Sequence, residues 1–91
     1  MDKKLILSNQ AVKAVDNLQA KQYRQVVRRI LGLQRETKPH DSSQLKGQIE
    51  YRRIDQGEFR IIYREEEDTV YVIVVDKRND DTAYRALNRL R

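Results

Sequence analysis

The chain of 91 residues contains no cysteine and only one histidine, His40. Without cysteine there is no disulfide framework and no thiolate metal site, and nothing asks for an oxidising compartment. The lone histidine sits beside the single proline, Pro39, so no pair of histidines can serve as general acid and base or as metal ligands. Three glycines are present, Gly32, Gly47 and Gly57, too widely spaced for a phosphate loop or a dinucleotide fingerprint. No serine or cysteine nucleophile motif is found. No apolar run approaches the roughly 20 residues of a membrane span. The stretch after Met1-Asp2-Lys3-Lys4 offers only Leu5 to Leu7, too short for a signal-peptide core. A cytoplasmic protein with no membrane partner is therefore expected. The length implies one domain, residues 1–91, burying about 60–65 % of its unfolded surface, with no room for a separate cofactor-binding unit.

What is abundant is positive charge. Lysine and arginine total 19 against 14 acidic residues, a net of +5, and the pI is near 9.7. Such a balance suits a polyanionic partner, which can be nucleic acid, an acidic protein or a membrane surface. The distribution is uneven. Lys21 to Arg64 holds 11 basic and 5 acidic residues, and the run Glu65-Glu66-Glu67-Asp68 follows. Four consecutive acids do not converge from different elements as a Mg²⁺ site requires. They read as a solvated turn that also discourages edge-to-edge strand pairing. No metal and no cofactor are expected.

The periodicity of the apolar residues lays out an α+β chain. Lys3 to Leu7 reads as a first strand. Ser8 and Asn9 are both suitable N-caps. Ala11, Val12, Ala14, Val15 and Leu18 recur at helical spacing, and Tyr23, Val26, Val27, Ile30 and Leu31 form a second apolar stripe opposite Arg24, Arg28, Arg29 and Arg35. Two antiparallel helices, or one bent helix broken near 18–20, should cover 9–35. Lys38 to Ser43 is a loop. From Ile49 to Ile54 the period becomes two, Asp55-Gln56-Gly57-Glu58 is a turn, and Phe59 to Arg64 is a strand with Phe59, Ile61 and Tyr63 on one face. Val70 to Val75 is almost wholly apolar and reads as a central strand covered on both sides. Asp76 to Asp81 connects to a last helix over 82–91, with Ala83, Ala86, Leu87 and Leu90 inward. Helices followed by strands favour a small, mainly antiparallel sheet of about four strands. The helices should share one face and leave the other partly open, with the arginines on it.

With histidine, cysteine and metal chemistry set aside, arginine and tyrosine remain. Arg52, Arg53, Arg60, Arg64 and Arg78 lie on or beside adjacent strands. Guanidinium groups bind phosphate bidentately and stabilise charge on the oxygens of a phosphoryl transfer. Tyr84, just beyond the last strand, offers a ring for base stacking. Each residue alone has an ordinary explanation, since exposed strand positions commonly hold arginine and Tyr84 can pack on the core.

Three blocks carry more. Leu45-Lys46-Gly47, Tyr51 through Tyr63 (YRRIDQGEFRIIY) and Val72 through Tyr84 (VIVVDKRNDDTAY), in this order, resemble the RelE/ParE toxin superfamily, and RelE more than ParE. The resemblance implies a toxin with a cognate antitoxin encoded beside it. The antitoxin is expected to cover the open basic sheet face or displace the last helix. It implies a metal-independent endoribonuclease that enters the ribosomal A site and cuts mRNA there by attack of a 2′-hydroxyl on the adjacent phosphate. By position, Arg60 matches the arginine contacting that phosphate. Arg78 matches the arginine that assists the leaving oxygen. Tyr84 matches the tyrosine that stacks on the nucleotide, and Arg53 matches the first of two basic strand residues. Lys46, Arg52, Arg64 and Lys77 are the further expected RNA contacts. One departure stands out: the second basic position holds Asp55, which would either lower the positive potential at the phosphate or hold Arg53 or Arg60 in place. Two other functions fit parts of the pattern. A ParE-like gyrase inhibitor lacks the Arg/Tyr set. A non-catalytic RNA- or ribosome-binding module is favoured by Asp55. The basic face of Arg24, Arg28 and Arg29 is either a ribosomal RNA contact or a solvated helix face.

Overall fold

The computed structural model describes residues 2–79 and 82–90. The elements are β1 (Lys4–Leu7), α1 (Asn9–Asp16), α2 (Ala20–Gly32), β2 (Ser43–Leu45), β3 (Gln48–Gln56), β4 (Phe59–Glu66), β5 (Thr69–Lys77) and α3 (Thr82–Leu90). They form an α+β fold around one mixed sheet of order β1-β5-β4-β3-β2. The expected meander is present, β3 to β4 to β5, antiparallel throughout. β1 lies at the edge and runs parallel to β5, with Leu5 opposite Val70. A fifth strand joins the four expected, because Ser43 to Leu45 folds back on β3 through the Lys46-Gly47 turn, where Gly47 takes a φ of +79°.

Local chemistry sets the start of α1. Ser8 Oγ accepts from the Ala11 amide at 3.1 Å and so caps α1. It also donates to the Ile73 carbonyl, which ties the helix start to the sheet. Gln10 continues where β1 stops. Its side-chain amide donates to the Val75 carbonyl and accepts from the Val75 amide, both at 3.0 Å, as a strand residue's backbone would. The helical region divides at Asn17 to Gln19 into two helices. Ala11, Val15, Val26 and Ile30 are buried against the sheet, whereas Val12, Tyr23 and Leu31 from the expected stripes remain exposed.

The meander turns are each two residues long. Gly57-Glu58 joins β3 to β4, with Gly57 at φ +59°, and Glu67-Asp68 joins β4 to β5, with Glu67 at φ +50°. A positive φ at the first of two central residues suits the twist of a hairpin, and glycine reaches it without steric cost. Asp55, Gln56, Glu65 and Glu66, expected in turns, are therefore strand residues.

Two cores sandwich the sheet. The first joins α1 and α2 to Ile54, Ile61, Tyr63, Val70, Val72 and Val75. The second joins Ala83, Ala86 and Leu87 of α3 to Leu45, Ile62 and Val74, with Tyr51, Ile73 and Tyr84 at its margin. The expectation that all helices share one face is corrected here: α3 covers the opposite face. Ile62 and Val74 face that side by ordinary alternation, and a bulge adds Ile73 to them. Ile62 pairs with Val74 but Tyr63 with Val72, which leaves Ile73 as an extra residue in β5. The alternation slips by one, so Ile73 and Val74 both serve the second core before Val75 returns to the first. The apolar patch so made needs a cover, and α3 supplies it. Leu90, expected inward, is 52 % exposed. Asp80, Asp81 and Arg91, read as connector and helix end, lie outside the described residues.

Candidate functional site

The α3 face of the sheet holds the arginines. A two-residue turn fixes the β3–β4 register, which sets Asp55 directly opposite Arg60 and Arg53 opposite Ile62. Cross-strand partners share a face. Arg53, Asp55 and Arg60 therefore stand on the side of Ile62 and α3, while Ile54 and Ile61 enter the first core. On the other flank of β4, Arg60 is opposite Asp76. α3 is anchored by Ala83, Ala86 and Leu87, and this places the Tyr84 side chain over Arg60.

Arg60 is the hub. Its Nε donates to Asp55 Oδ1 at 2.8 Å and its Nη2 to Asp55 Oδ2 at 3.1 Å. Its Nη1 donates to the Tyr84 hydroxyl at 3.0 Å, and its guanidinium carbon lies 5.3 Å from the Tyr84 ring centroid. The stacking is within cation–π range. Arg53 Nη1 approaches Asp55 Oδ2 at 4.0 Å. The Arg78 backbone amide donates to the Glu58 carbonyl at 3.0 Å, which ties the end of β5 to the β3–β4 turn. The Arg78 charge acts on Asp55 as well. Hydrogen bonding from Arg60, then the charges of Arg60, Arg53 and Arg78, hold the Asp55 carboxyl below the usual carboxylate range against its partial burial. The same pairing pushes the Arg60 guanidinium up.

The four residues matched to catalysis thus gather at one end of the sheet, with Arg53, Arg60 and Tyr84 on one face and Arg78 at its rim. The four residues expected as further RNA contacts do not gather there. Arg52 pairs with Tyr63, faces the α1–α2 side and donates to Ser42 Oγ at 2.9 Å. Lys77 pairs with Phe59 and borders a cavity of about 420 Å³ beside Ala14 and Leu18, again on the helix side. Lys46 is exposed in the β2–β3 turn at the far end of β3. Arg64 does share the site's face, but Tyr71 and Glu66 engage it: its guanidinium lies 4.3 Å from the Tyr71 ring, and Nη1 is 2.6 Å from Glu66 Oε2. On α2, Arg29 pairs with Asp41. The arrangement offers a cationic, aromatic-edged face suited to a phosphodiester and a stacked base. Among the described residues, no three of His, Asp and Glu converge as metal ligands. Asp55 is the residue whose role periodicity alone did not assign, although a two-residue turn at 57–58 already places positions 55 and 60 opposite each other.

Comparison with known proteins adds an outside reference. The family model described as the ParE toxin of the type II toxin–antitoxin system, parDE, matches residues 5–82. That span includes Arg53, Arg60 and Arg78 and stops short of Tyr84. No protein of curated function matches by sequence. Among solved structures, a mutant of the Escherichia coli toxin RelE in the free state superimposes with a TM-score of 0.79 at 21 % identity, over 100 % of both chains. The archaeal RelE–RelB complex from Pyrococcus horikoshii OT3 gives 0.76 at 23 % identity, over 88 % of this chain and 99 % of that one. The RelB–RelE antitoxin–toxin complex from Methanococcus jannaschii gives 0.69 at 21 % identity, over 87 % and 96 %. At such identities the likeness is one of fold.

Proposed function

The chain belongs to the RelE/ParE toxin superfamily, as a toxin of a type II toxin–antitoxin system, and from that membership we propose that it is a ribosome-dependent endonuclease that cuts mRNA in the A site and so stops translation. The observation that carries the proposal is the junction of Arg60 with Tyr84 on one face of the sheet, beside Arg53 and with Arg78 at the rim. In the reaction a ribose 2′-oxygen attacks the adjacent phosphorus. The bond to the 5′ oxygen breaks, the 2′-hydroxyl proton passes to solvent and the departing 5′ oxygen takes one up from solvent, leaving a 2′,3′-cyclic phosphate and a 5′-hydroxyl. Negative charge grows on the non-bridging oxygens, where Arg60 and Arg53 act, and on the leaving oxygen, which Arg78 serves. Tyr84 stacks on the nucleotide at the cut and orients it. A site without the usual histidine–carboxylate pair depends on positioning, and the ribosome supplies positioning by holding the message. Free RNA should therefore be a poor substrate. Two of the similar structures are complexes with RelB, which supports an antitoxin as the second partner.

The test is primer extension on mRNA held in programmed ribosomes, with Arg78→Ala as control. Cuts confined to the A-site codon, absent on free RNA and with the variant, are expected. A ParE-like gyrase inhibitor is the second function to consider, because the matching family model is that of ParE and ends before Tyr84. It predicts intact mRNA together with loss of supercoiling activity in purified gyrase.

A further inference from the structure

Asp55 stands where the resemblance expects a basic residue. Its two oxygens take Nε and Nη2 of Arg60. That edge of a guanidinium is the fork that grips a carboxylate or a phosphate bidentately. Nη1 is committed to Tyr84. A guanidinium has five N–H donors, so only two lie outside these three bonds. Arg53 reaches toward the same carboxylate, and the Arg78 charge adds to the field there. Two arginines thus reach one anion, a third adds to the field at it, and that anion belongs to the chain itself. The contact is built into the backbone, because Asp55 and Arg60 are cross-strand partners two pairs from the end of a tight hairpin. Folding the hairpin makes the pair.

We propose that Asp55 is an internal competitor for the phosphate-binding edge of Arg60, and that it restrains the affinity of this face for single-stranded RNA. The identity of the phosphate as RNA rests on the function proposed above, but the contest between carboxylate and phosphate does not. A phosphodiester must displace the carboxylate before Arg60 can grip it with two bonds. A message held on the ribosome is presented at high effective concentration and overcomes this cost, whereas free RNA at ordinary concentration does not. Asp55 would thereby separate held from free substrate without touching either. Hydrogen bonding from Arg60 holds the carboxyl below the usual carboxylate range, so the competitor carries its charge at neutral pH.

The experiment compares wild type, Asp55→Asn, Asp55→Ser, Arg60→Ala and the double variant Asp55→Asn/Arg60→Ala. The probe is a fluorescein-labelled hexanucleotide with 2′-O-methyl riboses, which has no 2′-hydroxyl and cannot be cut. Binding is read by anisotropy across about 50 to 200 mM salt, the range over which phosphate contacts weaken steeply. Removing the competing charge should tighten binding about tenfold at low salt, the scale of one hydrogen bond to a charged group. The slope of log affinity against log salt should steepen by about 0.7, one more phosphate contact on a single strand. The gain should vanish without Arg60. Unchanged or weaker binding by both Asp55 variants, with melting temperatures near wild type, would overturn the proposal and leave Asp55 as a positioning residue for Arg60. A gain that persists in the double variant would also overturn it, as a general charge effect. Failure of the wild type to cut mRNA on ribosomes would defeat the proposed function and leave this binding difference standing.

Discussion

Leu87→Ala should detach α3 and leave the sheet folded. α3 is nine residues long, and a helix of that length is not stable alone in water. It is held through Ala83, Ala86 and Leu87, with Tyr84 added at the margin on Arg60, and Leu87 is the one large side chain among them with no exposed surface. Burying a leucine contributes roughly 1.5–3 kcal/mol, and truncating one in a packed site costs roughly 2–5 kcal/mol. The two alanines bury far less. Ordering each residue of the helix opposes docking by about 1–2 kcal/mol before its hydrogen bonds are counted. Without Leu87 the balance turns against the docked helix, while the first core, on the other face of the sheet, is untouched. Amide hydrogen exchange by NMR distinguishes the outcomes. The amides of 86–90 should lose protection in the variant while those of β4 and β5 keep theirs. Tyr84 then leaves Arg60, and cleavage should fall as far as it does in Tyr84→Ala. If α3 and β4 amides lose protection together, the two cores form one cooperative unit and the reasoning fails.

Tyr63 is fully buried, and its hydroxyl donates to the Thr37 carbonyl at 2.7 Å. Tyr63→Phe should cost about 1–2 kcal/mol at neutral pH by leaving that carbonyl unpaired, seen as a lower urea midpoint. Burial pushes the Tyr63 phenol up, so the fold favours the protonated form. Its contribution is complete below the unfolded value near 10 and is lost as pH rises through the folded value, and the phenylalanine variant should show a flatter alkaline limb. A wild-type and a variant limb of equal steepness would contradict this. Glu67 takes φ +50° in its turn, at a steric cost of roughly 1–2 kcal/mol that glycine avoids, less roughly 0.5–1 kcal/mol of added chain entropy. Glu67→Gly should stabilise by about 0.5 kcal/mol, and a lower melting temperature would count against it.

Much of this was legible from pattern alone. The period-two stretches at 49–54 and 59–64 set Arg53 and Arg60 on the face opposite Ile54 and Ile61, and the structure keeps that parity. The helix pair followed from Val15, Val26 and Ile30 at helical spacing. What pattern missed depends on tertiary geometry. The bulge at Ile73 inverts side-chain direction inside a wholly apolar run, where alternation carries no signal, and so the full extent of the second apolar face that α3 covers was hidden. β2 is three residues long and includes two exposed polar side chains. It exists because β3 offers unpaired backbone at its edge. Lys46 and Lys77 could be placed away from the site only once the strand ends were known, and Arg52 once its pairing with Tyr63 was seen. The role of Asp55 required the register of the hairpin, which a turn over 55–58 would have displaced by two residues.

The most direct test of the Arg60–Tyr84 junction as the place of chemistry is single-turnover cleavage on programmed ribosomes by wild type, Arg60→Ala and Tyr84→Ala, with ribosome binding measured in parallel. A loss of transition-state contacts should slow the cut at least a hundredfold in each variant, the scale of one removed charge-stabilising donor, while ribosome binding stays within a few fold of wild type. Cleavage that survives both substitutions would contradict the assignment and place the chemistry elsewhere on the toxin.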